Sequence, residues 1–197
     1  MTSHPNWSQL IPDSEQPWTC IRSEQAVPPP YSIQVDDVQT HTDEIYRYVY
    51  RPRGHGAAFI LPITPQGQVV LIRQYRYPLQ RYIWEIPAGA LDEGETPQQA
   101  AARELREEVG AVAEQYIPLP GYYASPSFSG TPFYPFLALG VDLRFAVQHE
   151  PTELIEFALF DVREVFHNLE QGYFLDANTS LVMFHARPYL GAWLSDR

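Results

Sequence analysis

Residues 89–111 read GALDEGETPQQAAARELREEVGA. The helix signals in this stretch are complete. Thr96 is a side chain suited to an N-cap, and Pro97 fits the first helical position. Gln99, three residues after Thr96, completes a capping-box pattern, and Gly110 supplies a stop. The spacing predicts a helix over 97–109. At about 100° per residue, Glu104, Glu107 and Glu108 share an arc about 100° wide. Ala101, Ala102, Leu105 and Val109 form the adjoining apolar arc. One face is therefore expected to be buried and the next to be acidic. Glu108 lies nearest the apolar edge and should be the least solvated of the three. Ala100 sits among them, and its small side chain is expected to leave room for something to approach.

Three carboxylates this close repel one another, and a bound hard divalent cation relieves that repulsion. Mg²⁺ takes oxygen ligands and commonly uses one or two carboxylates with waters and substrate phosphates. Arg103, four residues before Glu107, can hold it in place. The Ala88-Gly89 turn can bring a backbone carbonyl to the same ion. The competing reading is a solvated helix face with helical ion pairs, which composition alone favours.

Outward from the helix, the chain reads as strands before it and a mixture after it. Residues 32–38 and 44–51 are rich in β-branched and aromatic residues around the polar turn Thr40-His41-Thr42-Asp43, as in a hairpin. Residues 1 to about 30 lack periodicity and read as an arm. Trp7 and Trp18 there either tack the arm to the body or offer a stacking surface for a base. Residues 57–63 form a continuous apolar run, a buried strand. Thr64-Pro65-Gln66-Gly67 follows as a turn, with a return strand over 69–74 and another over 82–86. Beyond Gly110 come a Pro-rich connection over 117–135, a strand near 136–141 and an acidic loop over 149–153. A strand over 154–160 follows. Asp161 with Glu164 opens a helix ending near Gly172, and a last helix starts near Asp176 and meets Pro188. The order implies an α/β sandwich of the α+β type with a mixed sheet, not strict βαβ alternation. Residues 1–55 are expected to form an arm and small β lobe, and 56–197 the main domain.

The 197 residues carry a formal net charge of −11, which disfavours nucleic acid because the summed field repels a phosphate polymer. A small anionic substrate is compatible if cations or local arginines neutralise it. Cys20 is the single cysteine, so no intrachain disulfide is expected, as suits a reducing cytosol. The opening MTSHPNWSQL has neither a basic start nor an apolar core, so no signal peptide is expected. No apolar run is long enough to span a bilayer. A cytoplasmic protein follows as the expectation.

The spacing G-x5-E-x7-R-E-U-x-E-E-x-G-U, with U a bulky aliphatic, is the Nudix box. Gly89, Glu95, Arg103, Glu104, Leu105, Glu107, Glu108 and Gly110 fill it, and Ala111 is smaller than the usual last aliphatic. The segments RGHGAAFILPI, VVLIRQYR, WEIPAGALDEGE and YYASP resemble the ADP-ribose pyrophosphatase branch of that superfamily. Pro126, sixteen positions past Gly110, matches a proline of that branch. The resemblance implies a β-sheet sandwiched between helices and Mg²⁺-dependent hydrolysis of a nucleoside diphosphate linkage, with Mn²⁺ as a substitute. The implied metal ligands are the Ala88 carbonyl, Glu104 and Glu108, with Glu107 as a further or water-mediated one. Arg103 and Glu95 would orient the box. Arg53 and Arg76 match arginines that hold phosphates or the terminal ribose.

The general base implied by the resemblance is a glutamate of the late acidic loop. Glu153 fits best, with Glu150 in reserve and Glu156 also within the segment. A homodimer is implied too, with aromatic residues of the N-terminal lobe stacking the base; Trp7, Trp18, Tyr31 and Tyr46 qualify equally. The branch often reads Ser-Pro-Gly followed by an acid. Here residues 125–131 read SPSFSGT, lacking both, so the substrate-shaping loop departs from the pattern. The expected substrate is ADP-ribose, split to AMP and ribose 5-phosphate. The alternatives are another substrate such as GDP-mannose or a dinucleoside polyphosphate, or a nucleotide-sensing module without turnover.

Overall fold

The computed structural model describes residues 2–29, 31–149 and 154–195. A 3₁₀ turn, Pro5–Leu10, is followed by three antiparallel strands: β1 (Thr19–Val27), β2 (Ile33–Gln39) and β3 (Ile45–Tyr50). β4 (Ala57–Ile63), β5 (Gln68–Arg76), β6 (Arg81–Glu85) and β7 (Ala88–Ala90) lead into α1 (Pro97–Val109). Then come β8 (Ala111–Val112), β9 (Gln115–Pro118), β10 (Phe133–Leu139), β11 (Asp142–Leu143) and β12 (Ile155–Asp161). The chain closes with α2 (Val162–Glu170), α3 (Ala177–Ala186) and the short α4 (Gly191–Leu194).

The central sheet runs β12-β5-β4-β10-β9, with β10 parallel to β4 and the other pairs antiparallel. Its strands alternate cleanly. Ala58, Ile60, Val70, Ile72, Phe136 and Ala138 face α1 and pack with Ala101, Leu105 and Val109. Leu61, Ile63, Val69, Leu71 and Leu137 face the other way, against Val165 and Phe166 of α2 and Val182, Met183 and Ala186 of α3. This period-two pattern makes the sheet the middle layer of an α/β/α sandwich. β8 and β11 form a separate two-stranded pair.

β4 and β5 meet only at Ile63 and Val69, where Gly67 (φ 75) closes the turn through its N–H to the Thr64 carbonyl. Beyond that point the two strands part. β6 pairs with β5 on one side of the opening, and β7 pairs with β4 on the other. The sheet is thus forked, and residues 81–90 cross the fork.

α1 has the expected bounds. Thr96 accepts from the Gln99 N–H, Gln99 accepts from the Thr96 N–H, and Gly110 closes the helix at φ 66. Two points of the wheel differ. Ala102 is exposed, and Ala100 is fully buried in the core between α1 and the sheet. The small Ala100 side chain therefore serves close packing and leaves no approach space.

The arm also differs from the sequence reading. Residues 19–27 form β1, paired along β2, yet every residue of β1 is exposed. With neither face buried, burial imposes no alternation on the sequence, so the strand left no periodic signal. The Pro-rich connection likewise contains β9, and β10 begins at Phe133, three residues earlier than expected.

The N-terminal turn is stitched to the body. Asn6 donates to the Gly121 carbonyl (2.9 Å) and accepts from its N–H (3.0 Å). Trp7 donates to the Leu119 carbonyl and sets its ring edge-on to Tyr134 and Phe136. Trp7 thus takes the tacking role.

Leu105, fully buried at the α1–sheet contact, sets the scale of that layer. Leu105→Ala is expected to destabilise the protein by about 2–5 kcal/mol, read as a lower urea midpoint at unchanged slope. A loss below about 1 kcal/mol would mean that α1 repacks.

Candidate active site

The site forms where residues 85–90 cross the fork above α1. The Ala88 N–H donates to the Glu108 carboxylate at 3.0 Å. A methyl built on Gly89 would overlap the Glu104 carboxyl, so only glycine permits this approach. Glu104 and Glu108, one helical turn apart, thus press against the Ala88–Gly89 backbone. They are 9% and 3% exposed. Glu108 is the less solvated, as the wheel predicted.

Arg103 organises the rest. Its Nε and Nη2 bond the two carboxylate oxygens of Glu95, each at 3.0 Å. Nη1 bonds Glu104 at 2.6 Å and Glu107 at 3.1 Å, and Nη2 also donates to the Ala90 carbonyl at 2.8 Å. Glu95 in turn accepts from the Asp92 N–H. One guanidinium therefore ties the loop before the helix, the helix itself and β7 together. Hydrogen bonding from Glu95, foremost, pushes the Arg103 pKa up; Arg103 holds the Glu95 carboxyl below its usual range. Among the described residues, no three or more His, Cys, Asp or Glu side chains are drawn into a metal-ligand cluster.

Ala88–Ala90 is the strand β7 and not the turn expected from sequence; a cleft of about 180 Å³ opens beside it, lined by Ala57 and Phe59 of β4, Arg76, Glu85, Ala88–Ala90, Asp176 and Asn178. Larger hollows lie along the N-terminal turn, away from these carboxylates. Arg76 forks onto Glu85 through Nε (3.0 Å) and Nη2 (2.7 Å). Glu85 is buried, and that burial raises its pKa against the opposing pull of Arg76.

Sequence reading missed Glu85, Asp176 and Asn178. Glu85 stood inside the quoted WEIPAG segment, and its alternation with buried Ile83 on the short strand β6 was the available signal. Asp176 was read only as marking the start of the last helix, which it caps.

The remaining predicted residues are scattered. Arg53 bonds the Gly130 carbonyl (2.9 Å), the Tyr123 hydroxyl (3.2 Å) and the Leu10 carbonyl, and does not line the cleft. Pro126 is exposed in a loop held by the N-terminal sheet: Tyr48 donates to the Ser127 carbonyl, and the Arg51 N–H to that of Phe128. Glu150 and Glu153 lie outside the described residues, while Glu156 is exposed on β12 and pairs with Arg73. The residues leading up to them are fixed, with Gln148 N–H bonded to the Glu107 carbonyl and the His149 ring to that of Glu108. The return is fixed too, since Leu154 accepts from the Tyr75 N–H next to Arg76. Trp18, Tyr31 and Tyr46 are exposed on the N-terminal lobe.

The Arg103–Glu95 pair carries a pH signature. Folding lowers the Glu95 pKa from about 4.5, so its stabilising contribution is complete above that value and lost as pH falls through the lower folded one. The stability difference between wild type and Glu95→Gln is expected to be largest near neutral pH and to shrink below about pH 4.5. A difference unchanged down to about pH 3 would exclude this pair as its source.

Known proteins share this sequence and architecture. The family model for the NUDIX domain matches residues 53–179. The ADP-ribose pyrophosphatase of Bacillus subtilis (strain 168) is 39% identical over 110 residues, covering 56% of this chain and 57% of that protein. The match therefore spans little more than half of that relative's length. The methanol dehydrogenase activator of Bacillus methanolicus is 32% identical over 157 residues, covering 77% of this chain and 82% of its own. A solved structure described as an ADP compounds hydrolase superposes with a TM-score of 0.79 at 24% identity, over 92% of this chain and 98% of the other, and shows the shared fold. With the box residues gathered around Arg103 and more than half its length matched, the chain belongs to the NUDIX domain family.

Proposed function

We propose that the protein hydrolyses the diphosphate linkage of ADP-ribose, giving AMP and ribose 5-phosphate, with Mg²⁺ as the working cation. The observation that carries this is the Arg103 fork, which fixes Glu95, Glu104 and Glu107 against β7 (Ala88–Ala90) beside a cleft holding Arg76. The Bacillus subtilis relative, named an ADP-ribose pyrophosphatase, supports the substrate.

The donor set fits a hard divalent cation. Asp92, Glu95, Glu104 and Glu107 surround the single positive charge of Arg103, and the backbone comes close because Gly89 lacks a side chain. In this reading the Ala88 carbonyl, Glu104 and Glu108 hold the ion, with Glu107 as a further or water-mediated ligand. Bound there, it would neutralise charge on the phosphoryl oxygens and acidify the attacking water. Arg103 and Glu95 keep the carboxylates in place. Arg76, oriented by Glu85, holds a phosphate. A glutamate of the 150–153 segment, Glu153 by preference, takes the water's proton. The fixed ends of that segment, at Glu108 and beside Arg76, support this assignment.

The N-terminal sheet exposes Ile21, Ile45, Tyr46 and Val49, with Tyr31 73% exposed beside it. So large an apolar display on one small lobe supports a homodimer formed through it. Light scattering on the eluting protein should give twice the chain mass, and Ile45→Glu should shift it to the monomer. Monomeric wild type would refute this assembly.

The chemical test is product analysis with Mg²⁺ across ADP-ribose, ADP-glucose, GDP-mannose and diadenosine polyphosphates. ADP-ribose is expected to be the preferred substrate. Glu108→Gln is expected to lower kcat by at least about a hundredfold. Absence of ADP-ribose turnover would sink the substrate, and full activity in Glu108→Gln would sink the site. A second reading, activation of a dehydrogenase, is favoured by the coverage of the Bacillus methanolicus relative. Its test is whether the purified protein raises the turnover of a methanol dehydrogenase.

A further inference from the structure

We propose that Thr179, on the first turn of α3, is a positioning residue for the Ala88 carbonyl, acting through the backbone of Ile86. The inference rests on the reading of that carbonyl as a metal ligand. Thr179 is fully buried. Its hydroxyl donates to the Asp176 carboxylate at 2.7 Å and accepts from the Ile86 N–H at 3.2 Å. A hydroxyl has one proton; with Asp176 taking it, a lone pair is left for the strand.

The helix cap alone does not need this hydroxyl, because Asp176 already accepts from the Thr179 N–H at 2.7 Å. What the hydroxyl adds is a link from α3 to the segment crossing the fork. That segment is then held at successive points. The Ile86 N–H is bonded by Thr179, the Pro87 carbonyl accepts from the Ile60 N–H (2.9 Å), and the Ala88 N–H is bonded by Glu108 (3.0 Å). Pro87 has no N–H to satisfy and fixes its own φ. These bonds fix the 85–86 and 87–88 peptide planes that lead into Ala88, and the pairing of β7 with β4 holds Gly89 opposite Ala58 on the other side, so the Ala88 carbonyl is aimed by backbone anchored both before and after it. Asp176 also lines the cleft, so the same link fixes part of its lining.

The test is Mn²⁺ titration, followed by electron paramagnetic resonance without substrate, on the wild type and four variants whose folding is checked by circular dichroism. Thr179→Val leaves the Ile86 N–H without an acceptor and should weaken Mn²⁺ binding about tenfold, the scale of lost outer-shell support. Thr179→Ser keeps the hydroxyl and should stay within about twofold of wild type. Asp176→Asn preserves the cap but weakens the acceptor of the Thr179 proton, and should cost about threefold. It carries the test if Thr179→Val does not fold.

Glu108→Gln separates the two readings. If the wild type binds Mn²⁺, Glu108→Gln does not, and the folded Thr179 and Asp176 variants bind like wild type, the positioning role is overturned while the metal site stands. If wild type and Glu108→Gln bind alike, or neither binds, both are overturned.

Discussion

Like-charge crowding around Arg103 is the constraint on which the site depends. Glu95, Glu104 and Glu107 all bond this one guanidinium, and Glu104 is nearly buried. A buried carboxylate is tolerated only when paired and hydrogen-bonded. A planar guanidinium meets several carboxylates from fixed directions, which a lysine ammonium does not. That accounts for an arginine at this position, and for its further bond to the Ala90 carbonyl, which attaches β7 to the helix. The guanidinium leaves excess negative charge, so the same geometry that holds β7 to the helix also favours a cation beside it.

The second constraint is the fork between β4 and β5. Two neighbouring strands that stayed paired would bury residues 57–59 and 76 inside a continuous ladder. Because they part after Ile63 and Val69, Phe59 and Arg76 come to line one cleft, with Ala88–Ala90 between them. The crossing segment is short and carries Pro87, so its backbone groups find partners outside the ladder: Ile60, Glu108 and Thr179. The cleft is thus a consequence of strand divergence, and the carboxylate helix lies below it because Gly89 lets Glu104 come close.

Local chemistry made much of this legible from sequence. The ends of α1 were readable because Thr96, Pro97, Gln99 and Gly110 each act within a few residues of themselves. The relative burial of Glu108 followed from angular position alone. β1 was not readable: it pairs through its backbone while both faces meet solvent, so no pattern of burial is written into its side chains. The burial of Ala100 was misjudged for a related reason. A wheel gives direction around the helix but not the width of the face that the sheet covers. Thr179 was missed because its role arises from a contact across 93 residues, with Ile86, and Glu85 and Asp176 because the cleft that they line is assembled from separate parts of the chain.

Arg53 and Arg76 show the same limit in a form that bears on chemistry. Both stand in arginine-bearing segments for which the resemblance implied contact with phosphates or the terminal ribose. Arg53 meets the Leu10 and Gly130 carbonyls and the Tyr123 hydroxyl through its two terminal nitrogens, so it joins the N-terminal turn to the loop over 121–131. Arg76 meets a single carboxylate through Nε and Nη2, a fork that fixes its plane and leaves Nη1 outside the pair, on a side chain that lines the cleft. In a chain of net charge −11, an anion is favoured only where a local cation outweighs the surrounding field. Arg76 lines the cleft beside Glu85 and Asp176, so in the proposed reading a bound cation supplies the rest of that positive charge, whereas Arg53 is drawn away by residues 43 and 77 positions distant. The difference between the two lies in what the fold brings to each guanidinium, which the residues beside them in sequence do not encode.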